Sequence, residues 1–290
     1  MTKEGGSLML KLLGSTIAIL FALSSSNAFA LPTLKKGPLE APSSFTDQYD
    51  FEGIVALDDC SGSLIRFVNS LDTDPAMVLT NGHCLESGMP TPGQVITGQA
   101  SSRSLGLMDS SGNIVANLTA TQVLYSTMTG TDITLYRTAE TYAEILSTYG
   151  IHPFLLSQAH PQAGVSIEVI SGYWQRGYSC NIDGFVNELK EGDWTWNDSI
   201  RYSSPGCLVV GGTSGSPVIQ AGTRNMIGIN NTGNESGEEC TVNNPCEVDI
   251  NGKVTYKQGL SYGEETNQIY TCVNAHRDID LSMPGCELAH

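Results

Sequence analysis

The sequence predicts an all-β protein built as two packed antiparallel β-barrels. Three observations lead there. Short runs rich in Val, Ile, Leu, Tyr and Thr follow one another along the chain, each bounded by Gly, Asp, Asn, Ser or Pro. The two halves carry runs of similar number and style. No fixed-period repeat is present, which argues against solenoids and propellers.

The first 30 residues read as a secretory signal. Lys3 and Lys11 form a positive start, "LLGSTIAILFAL" is a short apolar core, and Ala28-x-Ala30 matches a small-residue cleavage site. The apolar core is too short and too weakly apolar for a membrane span, so no anchor is expected after cleavage. The mature chain would begin at Leu31 and keep 260 residues, enough for a large core. Residues 31–50, "LPTLKKGPLEAPSSFTDQYD", are rich in Pro and polar residues and read as an extended arm or short propeptide.

The first barrel is expected over 51–145, from "GIVAL", "GSLIRFV", "AMVLT", "QVITGQA", "NIVANLTATQVLY" and "DITLYR". "TAETYAEILSTYG" has few β-branched residues and ends in Gly, so it reads as a short helix or a linker between the halves. The second barrel is expected over 146–290, from "GVSIEVISGYW", "CNIDGFVNEL", "DWTWNDSIRYSS", "GSPVIQAG", "NMIGINNTG", "KVTYKQGLSYG" and "NQIYTCV", with a cysteine-rich C-terminal extension. Period-two alternation puts Trp194 and Trp196 on one strand face, either as packing or as a substrate platform.

The formal charge is −16, and removing Lys3, Lys11 and Glu4 with the signal leaves −17. So acidic a protein is repelled by nucleic acid and by anionic membranes, and neither is an expected partner. Eight cysteines, all after the signal, suggest disulfides in an oxidising compartment, extracellular or periplasmic. No CxxC pair is present, so a cysteine zinc site is not expected. The acidic loops "NESGEEC" and "EVDING" could hold calcium, although most such loops are only solvated.

The stretch "VGGTSGSPVI" (210–219) surrounds Ser214 with small residues and glycines. Such a turn can simply join two strands, or it can aim a serine at a substrate. Among five histidines, His83 alone follows an apolar strand and two turn formers, in "MVLTNGHCLE". His152 and His160 each precede a proline, and His276 and His290 lie in the tail. Asp132 opens the apolar run of "GTDITLYR". The order His83, Asp132, Ser214 is one of the orders in which a nucleophile, its base and the orienting acid occur. A subtilisin-type reading fails for want of a "HGTH"-like segment, and Ser216 breaks a lipase elbow.

Five segments in order resemble chymotrypsin-fold, trypsin-like serine peptidases of the secreted bacterial kind. They are "DDCSGSLIRF", "LTNGHCL", "TDITLYR", "GGTSGSPVI" and "MIGINNTG". The resemblance implies a cleft between the barrels in which Ser214 is the nucleophile, His83 the base and Asp132 its orienting acid. It implies an oxyanion hole from the amides of Gly212 and Ser214, and no metal or organic cofactor. The expected substrates are proteins or peptides, and the expected state is a monomer. Thr213 stands where trypsin-like zymogens carry an Asp, so activation by a new N-terminus is not expected. Leu208 stands where trypsins carry the acid of the specificity pocket, and Asn230 where acid-preferring relatives carry a His. With Thr232, Gly233 and Gly263 these residues are expected to line a pocket for an uncharged side chain. Cys60 and Cys84 flank the histidine segment as in the family and are expected to be bonded. Cys180–Cys207 is the expected second bridge. Cys240–Cys246 and Cys272–Cys286 are the pairings chosen for the rest, although spacing leaves others open. Two other readings stand beside peptide hydrolysis: a silent binding or adhesion protein on the same fold, and acyl transfer from a non-peptide ester.

Overall fold

The computed structural model describes residues 49–290. The expected signal at 1–30 and nearly all of the expected arm at 31–50 lie outside the described residues.

The first half supplies strands β1 (Ile54–Ala56), β2 (Ser61–Arg66), β3 (Pro75–Thr80), β4 (Val95–Ile96), β5 (Gln99–Ala100), β6 (Ser104–Met108), β7 (Ile114–Thr127) and β8 (Ile133–Thr141). Six of them close a barrel by antiparallel pairing, in the circuit β1–β2–β3–β8–β7–β6 and back to β1. The short β4 and β5 pair along β7. Alternation explains the two-sided burial of these strands. Val55, Leu64, Val78, Leu107, Val123 and Tyr136 form one buried cluster, the barrel interior. Their neighbours Ile54, Ile65, Leu79 and Leu135 join a second cluster with Ile170, Ile219 and Ile229 of the other half. Each such aliphatic side chain contributes about 1.5–3 kcal/mol when fully buried.

After β8, helix α1 (Tyr142–Tyr149) is set by a capping box between Thr141 and Glu144 and stopped by Gly150. Strand β9 (Phe154–Leu156) then runs parallel to both β2 and the later β14, stitching the halves together.

The second half supplies β10 (Ser166–Ser171), β11 (Arg176–Glu191), β12 (Trp194–Tyr202), β13 (Pro217–Gln220), β14 (Asn225–Gly233), β15 (Cys246–Val248), β16 (Val254–Thr255) and β17 (Ser261–Glu265). A second circuit closes, β10–β11–β12–β17–β14–β13 and back to β10, again antiparallel throughout. Its interior holds Ile167, Val169, Tyr178, Ile200, Tyr202 and Val218. The chain is therefore all-β with two closed six-stranded barrels.

Disulfides join Cys60 to Cys84, Cys180 to Cys207, Cys240 to Cys246, and Cys272 to Cys286. The Cys240–Cys246 loop is not part of a tail. It lies between β14 and β17, inside the second barrel's circuit, and Cys246 pairs with Lys190 of β11. The residues after β17 turn back onto the first half. Ile269, Cys272 and Leu288 are buried in the shared core, and Tyr125 Oη donates to the Ala289 carbonyl at 3.0 Å. Among the described residues, no helix is long and apolar enough to cross a membrane. Four disulfides fit an oxidising compartment.

Candidate active site

His83 sits in a single 3₁₀ turn, Gly82–Cys84, directly after β3. The turn lies hard against the backbone of β7. A Cβ on Gly82 would overlap the Thr127 carbonyl oxygen, so only glycine lets the turn dock there. The Cys60–Cys84 bridge ties the far side of the turn to the start of β2.

Asp132 immediately precedes β8 and is fully buried, 0% exposed. Its Oδ2 lies 2.6 Å from His83 Nδ1, and its Oδ1 accepts the main-chain N–H of His83 at 3.0 Å. Asn81 Nδ2 donates to the Asp132 carbonyl at 2.8 Å. The carboxylate can only accept, so His83 Nδ1 carries the hydrogen and Nε2 is left as the basic nitrogen. Burial alone would push the imidazole pKa down. The charge and hydrogen bond of Asp132, helped by Glu191 and Asp59, outweigh it and hold the pKa above its ordinary value.

Ser214 follows a tight loop before β13. Its carbonyl accepts the Ser61 N–H at 2.7 Å, and Gly215 N–H donates to the Asn230 carbonyl at 3.0 Å. Gly215 has φ +78°, and a Cβ there would overlap the Ser61 carbonyl and Thr80 Oγ1. Gly212 has φ +88°, with Tyr173 Cδ1 only 2.7 Å from where its Cβ would stand. The glycines therefore let the serine loop press against β2 and the Tyr173 ring. Within this loop the amides of Thr213, Gly215 and Ser216 are bonded to carbonyls. The amides of Gly212 and Ser214 have no protein acceptor among the described residues.

His83 and Ser214 line one small cavity with Glu191, Trp194, Trp196 and Val242. The serine hydroxyl donates to the Asn231 carbonyl at 3.3 Å. Ser214 also lines a second, larger cavity of about 380 Å³. Leu208, Asn230, Thr232 and Gly233 line it as expected residues of the pocket. Leu208 stays 57% exposed, whereas Asn230 is buried and its Nδ2 braces the Thr213 carbonyl at 3.1 Å.

Gly263 does not line this cavity. It is paired with Ile200 and Asn230 inside the barrel wall, and a Cβ there would stand 2.5 Å from Tyr202 Oη. Its glycine serves packing.

Several lining residues escape sequence reasoning. Glu235, Asn243 and Gln258 border the larger cavity. Glu191 is buried beside His83, accepts Thr232 Oγ1 at 2.5 Å and the Asn243 N–H at 2.8 Å. Burial raises its carboxyl pKa above the ordinary value, against those two hydrogen bonds. The small Cys240–Cys246 loop delivers Val242 and Asn243 to the cleft, and that loop closure was the one available signal.

The trypsin-like peptidase domain matches residues 60–229 of this chain. Comparison with curated proteins gives no match. Among solved structures, the MamO protease domain from Magnetospirillum magneticum (apo form) is similar at 14% identity and TM-score 0.48, over 79% of this chain and 99% of that one. Cellulomonas bogoriensis chymotrypsin is similar at 14% identity and TM-score 0.42, over 76% and 92%. A protease from M. tuberculosis in its active form is similar at 14% identity and TM-score 0.43, over 82% and 81%. The domain match spans more than half of the 290 residues, and this chain belongs to the trypsin-like peptidase family.

Proposed function

We propose that the protein is an exported serine endopeptidase working through His83, Asp132 and Ser214. The observation that carries this reading is the buried Asp132 carboxylate. It grips His83 twice, at ring Nδ1 and at the main chain, in the cavity that Ser214 also lines.

The chemistry follows from that grip. Asp132 fixes the tautomer, so Nε2 can take the Ser214 proton as its oxygen attacks the scissile carbonyl. The imidazolium that forms is stabilised by the adjacent carboxylate. The free amides of Gly212 and Ser214 stabilise the oxyanion, each worth about 3 kcal/mol. His83 then protonates the leaving amine. Water repeats the sequence on the acyl-enzyme and releases the second product. Before attack, the Ser214 hydroxyl has to leave the Asn231 carbonyl by rotating about its side-chain bond. Catalytic hydrogen bonds often form only when substrate is bound.

The cavity of about 380 Å³ would take the side chain before the cut bond. Leu208, Asn230, Thr232 and Gly233 are uncharged and support a preference for an uncharged side chain, whereas the Glu235 carboxylate on the border of the same cavity would favour a basic one. The signal at 1–30 directs export, the barrels of 51–145 and 146–290 enclose the cleft, and the protein acts as a monomer.

The hydroxyl's turn toward Asn231 also fits a second reading, a silent protease fold that only binds. Incubation with a mixed peptide library, with Ser214→Ala as control, separates the two. Products from wild type and none from the variant support the peptidase. Intact peptides with both favour the binding role.

A further inference from the structure

Away from the cleft, three side chains from three segments meet. His160 lies between β9 and β10, Asp198 is on β12 and Glu265 ends β17. His160 Nε2 is 3.1 Å from Asp198 Oδ2 and 2.7 Å from Glu265 Oε1. One nitrogen or oxygen from each lies within 4.8 Å of the other two.

The tautomer of His160 gives this meeting its meaning. Its Nδ1 stands 2.6 Å from the Pro161 carbonyl oxygen. A carbonyl only accepts, so Nδ1 carries the hydrogen. In the neutral ring, Nε2 is then a lone pair facing two carboxylates. With the ring neutral and both carboxyls ionised, three electron-rich atoms would face one another, and a cation among them converts all three into ligands. A histidine whose other nitrogen donates to a backbone carbonyl is the usual oriented metal ligand. The Phe185 ring, 4.6 Å from the imidazole centre to centre, holds the ring in place.

Glu265 supplies an independent sign. It is 6% exposed, and apart from His160 Nε2 its buried Oε1 has no polar partner. Among the described residues no Lys or Arg pairs with it. A buried carboxylate with no fixed Lys or Arg charge beside it is a place where a bound cation is favourable.

We infer that His160, Asp198 and Glu265 bind a divalent cation of the zinc type, with water completing the shell. One imidazole and two carboxylates suit four-coordinate zinc, whereas calcium takes six to eight oxygens. The half-open His160 and Asp198 leave room for the water. The site has a structural consequence. Glu264, next to Glu265, accepts Asn231 Nδ2 at 2.8 Å, and the Asn231 carbonyl accepts Ser214. A cation joining β12, β17 and the loop before β10 braces the floor under the serine.

The test is calorimetric titration of the full chain with zinc sulfate after chelator treatment and dialysis, at neutral pH. His160→Ala, Asp198→Asn and Glu265→Gln are titrated beside it, each checked for folding by near-UV circular dichroism. The expected result is a single equivalent bound by the parent. Each folded variant binds at least about tenfold more weakly. Zinc should also raise the parent's thermal midpoint and not the variants'. Absence of binding overturns the inference, as does undiminished binding in the variants, which would place zinc elsewhere. Asp198 is exposed, so its variant keeps the test open if a buried one fails to fold. Serine reactivity is read separately and does not depend on this outcome.

Discussion

Asp132 holds His83 at two points. Its Oδ2 is 2.6 Å from the ring Nδ1 and its Oδ1 is 3.0 Å from the main-chain nitrogen. One contact fixes the proton on the ring, and the other fixes the turn that carries the ring. The two effects can be separated by substitution.

Asp132→Asn keeps the size and can still meet the main-chain N–H, but its amide can donate to Nδ1 and so favours the wrong tautomer. The expected fall in kcat is on the order of 10⁴-fold, with the fold intact. Steady-state kinetics beside circular dichroism checks this. Retention of a tenth of the parent activity would contradict the role given to Asp132.

The pH dependence has a definite sign. Protonated His83 cannot take the serine proton, so kcat/KM rises as the ring loses its charge. The folded pKa is held above the ordinary 6.5, so the half-maximal pH lies above that value. Glu191→Gln removes one of the charges that raise it. The acid limb should then move down in pH. A limb that moves up would show that Glu191 does not act on His83 by charge.

Gly215→Ala tests the seating of the serine loop. The added methyl meets the Ser61 carbonyl and Thr80 Oγ1 at φ +78°. Backbone strain and overlap together should cost about 2–5 kcal/mol in urea unfolding, with activity lost through displaced Ser214. Unchanged stability would mean the loop sits more loosely than described.

Removing the Cys60–Cys84 bridge by double serine substitution opens a loop of sequence separation 24. The chain-entropy estimate for that length is a loss of about 3.5 kcal/mol. Thermal and urea unfolding measure it. A larger loss in kcat than in stability is expected, because the bridge also braces the turn of His83.

Local signals were the legible ones. His83, Asp132 and Ser214 each sit in a short run whose turn formers and strand edges can be read in place. The alternating runs that become β2, β3, β7 and β8 can be read in the same way. What depends on closure could not be read. Glu191 reaches the cleft only because β11 is sixteen residues long and the Cys240–Cys246 loop folds over its end. That loop looks like a tail until β17 is seen to complete the barrel. The place of Gly263 cannot be read locally for the same reason, since its face of β17 is decided by pairing with Ile200 and Asn230. His160, Asp198 and Glu265 lie far apart in the chain, so no spacing announces them.

The central claim is that Ser214 is an activated nucleophile. Covalent labelling by a fluorophosphonate, read by intact mass beside a Ser214→Ala control, tests it most directly. The account predicts a single adduct on the parent protein and none on the variant. A folded, correctly processed parent that takes no adduct, or a variant that takes the same one, would contradict it.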